Sequence, residues 1–348
     1  MLTVLNVGFT LAPVSRDTAG GAEQILAQLD AALTANRHRS IVVAPEGSQV
    51  TGILVATPAC PGQLDEAARL AAQAAHRRAI AEALHRWPVD LVHFHGVDFD
   101  AYLPPPGPPA LVTLHLPLAW YTAAALRPTR PRTWLRGVSG AQRADAPADI
   151  HLLPDIPNGV DCAALDRAYV QRGFAAALGR ICPEKGFHLA LDAARAAGVP
   201  LLLAGELFRY PAHEAYFHHE IMPRLDRERR YVGPLGFVAK RRLLGAARCV
   251  LVPSLVAETG SLVAMEALAC GTPVIAFPNG ALADVVEDGK VGFLVSDWRE
   301  MTAAIPRSGS IDPEACRAAA RSRFSALRMV DRYLDLYRRL ASPERLVA

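Results

Sequence analysis

From Cys249 to Val295 the chain reads CVLVPSLVAETGSLVAMEALACGTPVIAFPNGALADVVEDGKVGFLV, and no other stretch narrows the fold as far. The apolar run Cys249 to Val252 has strand length and breaks at Pro253 and Ser254. A helical pattern then runs from Leu262 to Cys270 and stops at Gly271. A second buried-strand run, Pro273 to Phe277, follows at once, so the helix is a crossover between neighbouring parallel strands of an open α/β sheet. Ligands of such sheets sit beyond the carboxyl ends of the strands, where the loop Pro253 to Gly260 must lie.

That loop and the following helix carry two carboxylates, Glu258 and Glu266, with seven residues between them. On a helix this spacing is about 12 Å of rise, enough for one acid to meet a sugar and the other a ribose across a diphosphate. The residues between them suit a helix N-terminus that opens at Leu262. Ser261 can cap it, Gly260 lets backbone approach closely, and the free N–H groups attract phosphate. An anion held between two hydroxyl-binding acids describes a nucleotide sugar. The plain alternative is one exposed helix acid and one loop acid.

At 348 residues and 51% hydrophobic, the chain can bury a large core and is expected to form two domains. A net charge of +3 is too mild to argue for a nucleic-acid partner. Cysteines at 60, 162, 182, 249, 270 and 316 show neither C-x-x-C pairs nor histidines at zinc spacing, which points to reduced thiols and a cytoplasmic protein with no metal. Met1 to Val14 is apolar but lacks a basic leader and reads as the first strand. No stretch reaches the ~20 apolar residues of a spanning helix.

Both halves alternate strands with helices. In the first, Leu2 to Val7 is a strand, and the loop Gly8 to Gly21 leads into a helix over 22–36. Gly20 and Gly21 permit close approach of backbone to a phosphate or sugar, with a flexible turn as the alternative. No G-x-G-x-x-G occurs, which argues against a dinucleotide oxidoreductase. Strands are expected at 41–44, 53–56, 90–95 and 110–115, with a helix over 64–87. His93 and His95 share a strand face and lack a third metal ligand. His115 ends its strand at the carboxyl edge, pointing at the site or packing on Trp120 or Tyr121. The stretch LRPTRPRTWLR, 126–136, reads as a solvated basic loop, the alternatives being a seat for an anionic acceptor or weak peripheral contact with the inner membrane face. Val138-Ser139 and Ile150 to Leu153 are read as the last strands of this half.

The second half opens with Phe174 to Leu178 and the loop GRICPEKG, Gly179 to Gly186. Arg180 and Lys185 straddle this tight strand-to-helix loop and can converge on one diphosphate, assisted by the helix dipole; two surface cations are the alternative. No Ser or Thr follows Lys185, so the loop is not a Walker A site. Residues 210–230 read as exposed helix, and 312–340 as helix broken near Ser325.

Glu258-x7-Glu266 with Ala-Leu-Ala-Cys-Gly-Thr-Pro-Val after it, then Gly280-Ala-Leu-Ala-Asp-Val-Val-Glu-Asp-Gly and Gly292-Phe-Leu-Val, closely resembles the retaining glycosyltransferases of family 4. That family more often has Pro-Phe-Gly after the first acid, where this chain has Thr259-Gly260-Ser261. The resemblance implies the GT-B fold, two Rossmann-like domains facing across a cleft. The first would span 1–165 and bind acceptor, the second 166–324 and bind the nucleotide sugar, with a last helix at about 325–348 packed back on the first. It implies transfer of a sugar from a UDP-, GDP- or ADP-linked donor to a saccharide, lipid or small-molecule hydroxyl, with retention and without metal or cofactor. It assigns Arg180 and Lys185 to the diphosphate, Glu266 to the ribose, Glu258 and His115 to the donor sugar, the turn at Gly233-Pro234 to the base, and Gly20-Gly21 to the border of donor and acceptor. A nucleotide-sugar 2-epimerase of the same fold, or a non-catalytic sugar-nucleotide binder, are the competing functions.

Overall fold

The structure is a computed structural model that describes residues 1–60, 62 and 64–342. It divides into two compact units, Met1–Pro157 with the segment from Leu327 onward, and Asn158–Ala326.

The first unit is a seven-stranded parallel sheet of β1 (Thr3–Val7), β2 (Arg39–Pro45), β3 (Ile53–Thr57), β4 (Leu91–Phe94), β5 (Ala110–Thr113), β6 (Thr133–Arg136) and β7 (Leu152–Leu153), in the order β3-β2-β1-β4-β5-β6-β7. Strands β1, β4 and β5 are buried throughout, as continuous apolar runs covered on both faces must be. The second unit repeats the plan with β8 (Arg172–Leu178), β9 (Leu201–Ala204), β10 (Arg229–Tyr231), β11 (Ala247–Val252), β12 (Val274–Ala276) and β13 (Gly292–Leu294), ordered β10-β9-β8-β11-β12-β13. Every pairing in both sheets is parallel. Each sheet therefore reverses its winding once, between β1 and β4 and between β8 and β11, and a crevice opens at the carboxyl ends of those strands.

The second unit takes in Cys162–Leu165, which the sequence reading gave to the first. Arg241 holds this segment, with Nη1 donating to the Ala164 carbonyl at 2.8 Å and Nε to the Tyr169 hydroxyl at 3.0 Å. At the other end, Val160 and Ser325 form a short parallel bridge that interrupts the final helical segment. The helix Ala326–Ala341 then packs in the first unit. Its Tyr337 hydroxyl bonds His93 Nδ1 at 2.7 Å, and its Tyr333 hydroxyl bonds Thr113 Oγ1 at 3.1 Å.

Three expectations are corrected. The basic stretch before residue 137 is not a solvated loop: its last four residues are β6, and two of its arginines are building material. Arg136 is fully buried, donates to the Pro154 carbonyl and lies 4.8 Å from the Tyr333 ring centre. Arg130 donates to the Pro104 and Pro108 carbonyls, which the proline-rich loop cannot satisfy with N–H groups of its own. Arg127 is paired with Asp149. Val138-Ser139 is not a strand; Ser139 caps the helix Gly140–Ala144 by accepting from the Gln142 N–H. The third correction concerns 210–230, which is not one exposed helix. It comprises an α-helical turn, Pro211–Tyr216, a π-turn, Phe217–Ile221, and a 3-10 turn, Met222–Arg224, with Tyr216 and Ile221 buried. No helix among the described residues is long and apolar enough to cross a membrane.

Candidate active site

In the second unit, the loops after β8 and β11 meet at the reversal of winding. Gly186 makes this contact. It sits in the left-handed region at φ 62°, and a Cβ there would lie 2.3 Å from the Pro253 carbonyl oxygen, so only glycine fits. A backbone bond locks the loops together: Leu255 N–H donates to the Glu184 carbonyl at 2.7 Å, with the Ser254 hydroxyl oxygen 3.4 Å from the same atom. Glu258 is fixed on its other side by the loop after β12. Its N–H donates to the Asn279 carbonyl, its carbonyl accepts from Ala281 N–H at 2.7 Å, and Asn279 Nδ2 reaches the Ser254 carbonyl at 2.6 Å.

The structure brings Lys185 and Glu258 into contact. Lys185 Nζ lies 2.6 Å from Glu258 Oε1, and the Ser254 hydroxyl donates to the same oxygen at 2.6 Å. Burial pushes the Glu258 carboxyl up, but Lys185, the Ser254 hydroxyl and the charge of Arg180 outweigh it and hold the group below its ordinary range. It is an anion at neutral pH, with one oxygen engaged twice and Oε2 left over.

Ser261 stands at the N-cap of the helix Leu262–Ala269, but its hydroxyl makes no capping bond, contrary to the sequence reading. The first-turn N–H groups beginning at Leu262 thus receive no cap from the Ser261 side chain, and they lie beside Gly260. Glu266, one turn along, is buried and not an exposed helix acid. Its Oε1 accepts from Lys240 Nζ at 2.5 Å, with the two side chains only 7% and 8% exposed. The sequence reading missed Lys240, Ser254 and Asn279. A usable signal was present for Lys240: the chain has only three lysines, and two of them pair with the two acids. Gly233, at φ 77°, turns the chain after β10 ahead of Pro234, and its carbonyl accepts from Gly205 N–H at 2.9 Å.

In the first unit, His115 lies just past β5, 8% exposed, with Nε2 at 3.0 Å from His95 Nδ1. Burial and then the charge of Arg136 lower its pKa to about 3, so its ring is neutral at physiological pH. His93 and His95 are both buried, with ring centres 4.0 Å apart, and burial lowers both their pKa values. Neither His93 nor His95 is free to line an open site. Gly20 is the N-cap of the helix Gly21–Ala35, and a Cβ on it would strike the Glu23 carboxylate.

Two doubly wound parallel sheets, one of them with paired lysines and glutamates at its point of reversal, define the GT-B class. Residues 19–147 match the family described as Glycosyltransferase Family 4, and residues 173–308 the family described as Glycosyl transferases group 1. The chain belongs to the family 4 glycosyltransferases of the GT-B fold.

A curated relative, the D-inositol 3-phosphate glycosyltransferase of Saccharomonospora viridis, is 36% identical over 121 residues, which is 33% of this chain. The match spans only 28% of that relative's length. Among solved structures, AviGT4, a glycosyltransferase involved in avilamycin A biosynthesis, is 26% identical with a TM-score of 0.71 over 99% of each chain. Anabaena Alr3699/HepE, solved with UDP-glucose, is 20% identical with a TM-score of 0.74 over 97% of this chain and 99% of that one.

Proposed function

We propose that the protein is a retaining glycosyltransferase that moves a sugar from a nucleoside-diphosphate sugar to an acceptor hydroxyl. The observation that carries this reading is the Lys185–Glu258 pair at the reversal of the second sheet, next to the uncapped helix start at Leu262. A departing diphosphate gathers negative charge, and the groups at hand to meet it are Lys185, Arg180 and the N–H groups of that helix. On donor binding, Lys185 turns from Glu258 toward phosphate, and Glu258 offers its spare Oε2 to a hydroxyl of the transferred sugar. Glu266, held at Oε1 by Lys240, has its other oxygen for the ribose. The turn at Gly233-Pro234 would border the base. His115 acts as a neutral hydrogen-bonding group toward the donor sugar, because its ring lacks the second, acidic proton of an imidazolium at neutral pH. Binding of UDP-glucose by the Anabaena neighbour supports a nucleotide sugar as donor. Acceptor hydroxyls of a saccharide or small molecule suit the site better than a lipid at a membrane face, because Arg130 and Arg136 are occupied within the fold.

Proton NMR of reactions with α-linked UDP-, GDP- and ADP-sugars tests the reading. The expected product from one of these donors is an α-linked glycoside or, without acceptor, slowly released α-sugar. A β-linked product would overturn retention, a sugar epimerised at C2 would mean the epimerase, and no turnover with any donor would remove the enzymatic reading.

A further inference from the structure

Beside the Lys185 loop, three groups with no part in the proposed chemistry converge: the Cys182 thiol, the Glu184 carboxylate and the His213 imidazole. Their ligand atoms all lie within 4.8 Å of one another. They come from two separate segments, the turn Pro183–Lys185 with its N-cap Cys182, and the helical turn Pro211–Tyr216. Among the described residues they are the one group of three with this geometry, and His213 Nδ1, although buried, has no hydrogen-bond partner. A buried ring nitrogen left unpaired costs free energy, and the ring that carries it also places a nitrogen within 4.8 Å of a thiol and a carboxylate, an arrangement that calls for an explanation. The Tyr216 hydroxyl, bonded to His188 Nδ1 at 3.0 Å, independently fixes the segment that carries His213.

We propose that Cys182, Glu184 and His213 form a zinc site. One sulfur, one imidazole nitrogen and one carboxylate oxygen are a donor set suited to Zn²⁺ and poorly suited to Mg²⁺ or Ca²⁺. Ligand atoms on a tetrahedral Zn²⁺ stand about 3.3–3.6 Å apart, so the three, already within 4.8 Å of one another, need to draw together by at most about 1.5 Å, which side-chain rotation allows. On binding, the Cys182 S–H releases its proton to buffer, a Zn–S bond replaces a Zn–water bond, and thiolate and carboxylate together neutralise the metal charge. The fourth position stays with water. The Glu184 carbonyl accepts from Leu255 N–H, so the metal would stiffen the loop that presents Lys185. This role is structural and separate from sugar transfer.

Cobalt reports the site without nucleotide, so failure of the donor assignment would leave the result intact. Metal-stripped protein titrated with Co²⁺ is expected to develop a thiolate-to-cobalt charge-transfer band that saturates at one equivalent and is abolished by Zn²⁺. C182S and H213A should each weaken zinc binding by more than about 100-fold, while C316S, altering a buried thiol elsewhere, keeps the band. Absence of a saturable band in the parent protein would overturn the proposal whether or not the variants fold. So would a band that survives in both folded C182S and folded H213A, which would mark the metal as adventitious.

Discussion

Lys185→Ala is expected to lower turnover of the nucleoside-diphosphate sugar by about 10²–10³-fold, the usual loss when one preorganised group facing a developing anion is removed. The same change strands Glu258, whose side chain is only 11% exposed and whose other partner, Ser254, is neutral. We expect a stability loss of about 1–3 kcal/mol, below that of a fully buried pair because Lys185 is 24% exposed. The sign of its pH dependence follows from Glu258. In the parent the carboxyl is held below its ordinary 4.5, so the pair contributes stability above that value and loses it as pH falls through the folded-state value. In the variant, burial is opposed only by Ser254 and Arg180, and the carboxyl rises. Parent and variant should therefore differ most at neutral pH and converge on acidification. Urea unfolding across this range checks it, and a gap that widens in acid would contradict the pairing.

Lys240→Ala is expected to be the most destabilising single change at the site, by about 3–5 kcal/mol, because it leaves the Glu266 carboxylate buried without its counter-ion. The double variant Lys240→Met with Glu266→Gln removes both charges and should recover most of that stability. It should not recover nucleotide affinity, since Glu266 is the group proposed for the ribose. Denaturant midpoints for the single and double variants separate the structural from the ligand-binding role. Equal loss in both would mean that the pair matters through packing, not charge.

The parts that were legible in the sequence are those where one local pattern had one outcome. The apolar runs of β8 and β11, the helix stop at Gly271 and the break near Ser325 all followed from periodicity and local residue placement. Lys185 and Glu258 were each assigned to the donor, but their direct contact depends on β8 and β11 being neighbours at the reversal of winding, which no local pattern shows. Contacts made across long sequence separations were not legible. Arg136 has the composition of a surface residue, and only the tertiary arrangement of Pro154 and Tyr333 turns it inward. Nothing near Ser261 shows that its hydroxyl leaves the helix start uncapped. Cys182 and His213 lie too far apart in sequence for ligand spacing to reveal them, and were accordingly read as an inert thiol and an exposed helix residue.

Calorimetric titration of the parent protein with UDP, GDP and ADP, repeated on Arg180→Ala and Lys185→Ala, is the most direct test of where the diphosphate sits. The expected result is saturable binding of at least one of the three, weakened by about tenfold or more in each variant. Equal affinity in parent and variants, or no binding of any of the three, would contradict a diphosphate held by Arg180, Lys185 and the helix start at Leu262.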